Sequence, residues 1–452
     1  MGDATVQLPG RDVEVIADAD VVVAGGGPGG LGAALAAARA GASVVLCERH
    51  AFMGGNFTAA AVGSVCGYYA NVGTIEVPSF EPVIGGIAEE VLSALAAEGC
   101  GMGPIPFKEQ TAVFIYQPWA AKRLFDHLVG SEERIDLLLH SVVADAVVDD
   151  GVVRALVVAT KRGLRAVTGR VFIDATGDAD LSHFAGVPTE IGPAGARQFA
   201  SMQFFLEHVD DAAVITANAA LSGLIAEHGR HLSRDGGAVL PTFHPGEFIG
   251  AMTRVRNPDG TPIDTTDPRQ ATWGEIEGRR LAEEAAAFLH DHVPGFESSF
   301  LADTAQLGVR ETRHIRGRYT LTGDDVRTGA GFDDAVVACA WPQEYHVSGR
   351  STEYRFLAPG STYQVPFRSL VPDGVTNLAV AGRCMSGDHD ALASVRVMAP
   401  CLAMGQAAGT AAAMAARGIT GGGPAQIGEV DTDELRHVLR SAGARLLQMR
   451  SG

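Results

Sequence analysis

The chain has 452 residues, 46% of them hydrophobic, and a formal net charge of −18. That is ample material for a large core, and the length suggests about two to three domains. The acidic balance argues against binding a nucleic-acid backbone as the main task, while leaving room for a local basic patch.

The first twenty residues contain no apolar run, so no secretory signal is expected. Residues 1–18 read as a leader with one short edge strand. Residues 19–49 then form a βαβ unit: an apolar strand (21–24), the spacing G-x-G-x-x-G at Gly25, Gly27 and Gly30, an alanine-rich helix, a second apolar strand (44–47), and Glu48. In such a unit the first glycine permits the tight turn, the second lets backbone approach a pyrophosphate, and the third lets helix pack on strand. The helix start offers free N–H groups to phosphates, and an acid at the end of the second strand can hold a ribose. A dinucleotide site is expected. Gly54 and Gly55 promise a second close backbone approach, with Asn56 and Thr58 opening a helix.

Further on, helices are expected at 84–97 and 119–129, the latter begun by Pro118, and a strand at 135–140. Residues 142–168 read as a three-stranded antiparallel meander. A separate buried strand (170–174) leads into Ala175-Thr176-Gly177-Asp178 and a short helix. Residues 186–370 have a different texture, with strands at 197–209, 302–321 and 335–341, helices at 212–227 and 274–290, and a polar loop at 257–270. The chain then returns with a strand at 377–381 ending at Gly382-Arg383. A loop to residue 393, a long helix over 396–416 and an amphipathic helix over 431–447 complete it. The charge-free stretch 397–416 reads as a core helix rather than a membrane span.

These motifs together resemble the FAD-dependent oxidoreductases of the glutathione-reductase-like flavoproteins, and within them a widespread bacterial family. The matching pieces are DVVVAGGGPGG, ER-HAFMGGNFTA, DATGDADL, GVRETRHIRGRYTLTGDDV, WPQEYH, YQVPFRSLVP and NLAVAGRCMSGDHDALASVRVMAPCLAMGQAAGTAAA. The resemblance implies an α/β fold: a Rossmann-like FAD-binding domain with a β-meander (residues 1–185), an inserted α+β substrate domain with a large antiparallel sheet (186–370), and a return to the FAD domain with C-terminal helices (371–452). It implies FAD as cofactor. Gly25, Gly27, Pro28 and Gly30 would cradle the pyrophosphate, with Glu48 and Arg49 at the adenosine ribose. Gly54, Gly55 and Asn56 would lie along pyrophosphate and flavin, and Val143 would meet adenine. Gly177 and Asp178 would close the site, and Gly382 and Arg383 would lie near the ribityl chain. The helix start at Val395, Arg396, Val397 and Met398 would face the flavin N1 edge, where its dipole would stabilise a reduced, negative ring.

The expected reaction is hydride transfer between flavin N5 and a small organic substrate. A monooxygenase, an NAD(P)H-dependent reductase and a non-catalytic flavin-binding redox partner are the alternatives. His346 is the first candidate acid or base, because histidine titrates near neutrality. Tyr363, Arg310, Arg313 and His389 follow, with ion pairing as the competing role for the two arginines. The histidine pairs His228/His231 and His290/His292 lack a third ligand at metal spacing, so no metal is expected. The six scattered cysteines read as packing residues of a reducing compartment. No second G-x-G-x-x-G exists, and Gly192-Pro193-Ala194-Gly195 does not supply one. A cytoplasmic protein is expected, with a small-molecule substrate, no nucleic acid and no membrane. An electron-transfer partner or a homo-oligomer is left open.

Overall fold

The computed structural model describes residues 6, 10, 12–192, 197–347, 349–418 and 424–446. Its organising layer is a seven-stranded sheet. Strand β1 (Val15–Ala24) runs into helix α1 (Pro28–Arg39) and β2 (Val44–Cys47). Strands β3 (Ile135–Leu138), β4 (Val142–Asp149), β5 (Val152–Thr160) and β6 (Gly163–Asp174) follow. The order is β3-β2-β1-β6-β5-β4, and the strand Leu378–Val380 pairs with β6.

The expected meander and the expected separate strand at 170–174 are one piece. β6 is continuous: its first half pairs antiparallel with β5, and from Ala166 to Asp174 it pairs parallel with β1. β1 is also longer than its apolar run, because its first residues pair with β6 from Val15 onward. β2, the second half of β1 and the second half of β6 are buried along every residue or nearly so, as a sheet covered on both faces requires.

Helix α1 packs against a long C-terminal helix, and small residues set the distance between them. A Cβ on Gly32 would lie 2.3 Å from the Leu402 carbonyl oxygen, and one on Gly405 would lie 2.1 Å from that of Gly29. Only hydrogen fits there.

The segment between the two halves of this layer carries a four-stranded antiparallel sheet. Ser201–Glu207 lies between Phe248–Gly250 and Phe300–Gly308, and Val239–Pro241 extends the edge. Helix α2 (Pro268–His292) covers this sheet and starts at Asp267, whose side chain accepts from Arg269 N–H. The polar loop therefore ends earlier than expected.

Other expectations need correction. The strand expected over 197–209 narrows to Ser201–Glu207. The strand expected over 302–321 breaks after Gly308 and resumes only at Arg313–Ile315. In the gap the side chains of Arg310, Glu311 and Thr312 bind Ser201 Oγ, Gln198 N–H and Asp178 instead of joining a ladder. No α-helix opens at Asn56: the chain makes a single 3-10 turn, Gly55–Phe57, and Thr58 Oγ1 donates back to the Met53 carbonyl. The expected loop to residue 393 is partly helix α3 (His389–Val395), capped by Asp388. Helix α4 (Met398–Arg417) leaves it at a bend of 96°. The last amphipathic helix spans Thr432–Ser441; residue 447 of the expected helix and Pro193–Gly195 of the glycine cluster lie outside the described residues. Among the described residues, no single helix is long and apolar enough to cross a membrane.

Candidate active site

Loops at the C-terminal ends of the parallel strands build a cleft, the location this topology favours for a ligand. Gly25, Gly27 and Pro28 enter it from β1, Glu48 and Arg49 from β2, Val143 from β4, and Gly177 from the end of β6. Gly55 and Asn56 come from the 3-10 turn, and Gly382 and Arg383 from the end of strand Leu378–Val380. Arg396 and Met398 bring the start of α4 to the same cleft. Thirteen of the eighteen residues expected at a cofactor thus share one wall.

The other five do not line it. A Cβ on Gly30 would lie 1.7 Å from the Gly25 carbonyl oxygen, so Gly30 closes the turn rather than lining the cleft. Gly54 takes a φ of 114° and supports the second glycine approach. Asp178 accepts from Thr312 Oγ1 and from Arg383 Nη2 (3.2 Å). Burial pushes its carboxyl up, but Arg383 and Thr312 outweigh that and hold it low. Val395 is buried in α3, and Val397 faces a different cavity.

The cleft suits an anionic dinucleotide. At Gly27, with φ −69°, an added Cβ would meet nothing within 4 Å: the backbone borders open space. Helices α1 and α4 both begin without a side-chain cap; at α1 this leaves N–H groups for a bound anion, whereas at α4 Ala399 N–H donates to the Cys66 carbonyl (3.4 Å) and Pro400 has none. Glu48 is buried. Its Oε2 accepts from Gly26 N–H (2.6 Å) and its Oε1 from His50 N–H (2.8 Å), which fixes both oxygens in place. Two ionised oxygens offer about four acceptor positions, so capacity for ribose hydroxyls remains. Residues not foreseen also line the cleft, among them Gly29, Ser141, Gln306 and Cys401. Burial pushes the Cys401 thiol up to about 12, which makes it an inert packing group at neutral pH.

A second cavity adjoins the first. Asn56, Arg396 and Met398 line both. Its far side is Ser201 and Gln203 of the four-stranded sheet, with Arg234, Arg310, Lys108, Glu344 and His346. Apolar side chains Val62, Val113, Leu240 and Val397 line it too, with Ser64 and Cys66 beside them.

His346 and Arg310 are thus brought to this cavity. Arg310 Nη1 donates to the Phe199 carbonyl and to Ser201 Oγ, both at 2.8 Å. His346 is almost fully buried. Burial and the Arg310 charge hold it well below the usual histidine range, so it is neutral. Its Nε2 lies 3.0 Å from Glu344 Oε1 and must carry the proton, because an ionised carboxylate only accepts. Its Nδ1 then accepts from Thr352 Oγ1 (3.3 Å). Both nitrogens are committed. Glu344 also accepts from Tyr354 OH (2.9 Å) and Trp341 Nε1 (3.3 Å). Burial raises its carboxyl, but His346, Arg396 and Arg310 together pull it well below the ordinary range.

Tyr363, Arg313 and His389 are not brought to the cavity. Tyr363 is fully buried, with its hydroxyl 2.7 Å from Ser394 Oγ. Arg313 pairs with Asp180 and donates to the Asp178 carbonyl. His389 Nδ1 donates to Glu311, 2.9 Å from Oε2; this bond outweighs burial and raises the imidazole above its usual range. His228 and His292, from two different expected pairs, stack on each other at 4.7 Å.

Sequence reasoning passed over Glu344. A signal was available: strand alternation places 344 and 346 on one face. Lys108 and Arg234 come from separate segments, and no local pattern marks them.

The family described as "FAD dependent oxidoreductase" matches residues 20–439. Aklavinone 12-hydroxylase DnrF of Streptomyces peucetius subsp. caesius is 36% identical over 117 residues, 26% of this chain and 21% of the hydroxylase. This chain therefore spans about a fifth of the length of that curated relative. A geranylgeranyl bacteriochlorophyll reductase-like protein of Thermoplasma acidophilum superposes with a TM-score of 0.44 at 11% identity, covering 94% of this chain and 82% of that one. OxyS anhydrotetracycline hydroxylase of Streptomyces rimosus superposes with a TM-score of 0.45 at 13% identity, over 94% and 65%. With the family match running almost from end to end, this chain belongs to the FAD-dependent oxidoreductase family and takes FAD as its cofactor.

Proposed function

We propose that this protein moves a hydride between FAD N5 and a small organic substrate held in the second cavity. One observation carries the reading: the two cavities meet, with Asn56, Arg396 and Met398 on the shared boundary. FAD bound in the first cleft supplies the two-electron chemistry. Everything else falls to side chains and backbone of this chain.

Gly25, Gly27 and the start of α1 hold the phosphates, Glu48 accepts from the ribose, and Val143 borders the adenine. The start of α4 sets a positive dipole end beside Met398. Arg310, anchored by Phe199 and Ser201, orients the substrate together with Arg396. Val62, Val113 and Leu240 keep water from its apolar part. Glu344 accepts the substrate proton on Oε2, which has one acceptor position left after Trp341. His346 acts through Glu344: it donates to Oε1 and fixes the carboxylate. That makes it a positioning residue rather than the acid or base.

A second reading, a monooxygenase, draws on the local likeness to aklavinone 12-hydroxylase. Anaerobic reduction separates the two. Flavin colour lost on adding a metabolite extract without nicotinamide supports the hydride reading. Colour lost only with NAD(P)H, with molecular oxygen retained in a product, supports the monooxygenase. Colour that no reductant in either set removes refutes both.

A further inference from the structure

We propose that the occupant of the second cavity is a small organic carboxylate, its charge on Arg310 and Arg396 and its apolar remainder against Val62, Val113 and Leu240. The inference rests on the reading of that cavity as the substrate site.

The cavity is lined by four basic side chains, the exposed Lys108 and the part-buried Arg234, Arg310 and Arg396, and by one carboxylate, Glu344. None of the four lies within 4.0 Å of a carboxylate oxygen among the described residues. Nearby arginines outside the cavity do have such partners: Arg313 with Asp180, Arg383 with Asp178, Arg197 with Asp264. Glu344 spends its oxygens on His346, Tyr354 and Trp341. It reaches Arg396 only through its backbone carbonyl, at 3.4 Å. Arg396 Nε is buried without a hydrogen-bond partner.

Part-buried cations that outnumber their counter-charge, here four to the one carboxylate of Glu344, are costly. Burial, together with Arg396 and Arg234, pushes the Arg310 guanidinium down to about 9. It remains charged at neutral pH. An anion entering the cavity supplies the missing charge. A guanidinium presents paired N–H donors that match a carboxylate. The apolar part of the lining favours an organic acid over a bare inorganic ion. The same anion offsets the two arginines that hold Glu344 low, which raises its basicity when substrate is present.

The test uses the flavin-loaded protein and matched probes: benzoate, benzamide, phenylacetate, phenylacetamide and phenyl phosphate. Binding is read by the flavin difference spectrum and by calorimetry. We expect at least one acid to bind tenfold or more tighter than its amide, with phenyl phosphate no tighter than that acid. Arg310→Met should weaken the acid at least tenfold, and Arg310→Lys less. Arg154→Met, on the surface beside Asp149, should change nothing. If Arg310→Met fails to retain flavin, Arg310→Lys and the salt dependence of the wild type carry the test. Amides binding as well as acids, phosphate binding tighter, or no probe binding would each overturn the carboxylate assignment. Those results leave the hydride reading standing if an extract still bleaches the flavin. Acid binding without any bleaching overturns the hydride reading instead.

Discussion

Two glycines of the first turn are expected to fail in opposite ways. At Gly27 an added Cβ meets nothing within 4 Å, and a φ of −69° is open to any residue. Gly27→Ala should therefore leave the flavin-free protein within about 0.5 kcal/mol of the parent. The methyl would instead stand where a pyrophosphate must touch backbone. Losing one charge-assisted backbone contact costs about 1.5–3 kcal/mol, or about 10- to 150-fold in FAD affinity. At Gly30 the added Cβ would be 1.7 Å from the Gly25 carbonyl oxygen and 2.8 Å from its carbon. Either backbone must move by more than an ångström, and such overpacking costs about 1–3 kcal/mol or more. Gly30→Ala should melt several degrees lower even without flavin. The assay is thermal melting of both stripped variants with and without saturating FAD, together with FAD affinity by equilibrium dialysis. Unchanged FAD affinity in Gly27→Ala, or equal destabilisation of both stripped variants, would refute the division between cradle and packing.

The proton acceptor can be located by a pair of amides. Glu344→Gln should lower kcat by about 10²–10⁴-fold, the span of general-base catalysis. His346→Gln keeps a donor to Glu344 and should lose less than about tenfold; the reverse ranking would make His346 the base. For the His389–Glu311 pair the sign follows from the raised imidazole. Its stabilisation is complete below pH 6.5 and is lost as pH rises through the higher folded value. Melting of the wild type should therefore drop more than that of His389→Gln on going from pH 6 to pH 9, and parallel curves would count against the pair. Arg383→Met should destabilise by about 3–5 kcal/mol at pH 7, because it strands the Asp178 carboxylate. With the cation gone, burial raises that carboxyl, so part of the loss should return toward pH 5, and adding Asp178→Asn should recover stability at pH 7. A loss that ignores both would mean the pair is not what Arg383 supports.

What the sequence makes legible here is local. The first βαβ unit can be read because each of its demands falls within thirty residues: an apolar strand, a glycine turn, a helix and an acid. The continuity of β6 is hidden for a physical reason. Its first half obeys an antiparallel partner and its second half a parallel core, so the polarity of the strand changes midway. The break at Arg310-Glu311-Thr312 is hidden as well, because β propensity describes pleated surfaces and not polar partners far away in sequence. Gln198 N–H and His389 reach Glu311 across 113 and 78 residues. Gly32, Gly405 and Gly409 look like composition until α1 and α4 meet. Only then does alanine and glycine richness become a distance between helix axes.

Net charge is the least local reading, and it says least about the second cavity. A chain at −18 should repel a small acid on average. Surface charges beyond about 8 Å are largely screened at physiological ionic strength, whereas buried ones are screened much less. The potential inside is therefore set by the few groups that line the wall. Lys108, Arg234, Arg310 and Arg396 are distant in sequence and meet only when the end of the strand Gly101–Phe107, the loop before Val239–Pro241, the end of Phe300–Gly308 and the start of α4 converge. Each would be an ordinary surface cation in isolation. Folding part-buries the three arginines and sets them and Lys108 against the single carboxylate of Glu344, and that excess of positive charge makes the convergence a recognition element rather than another ion-pair network.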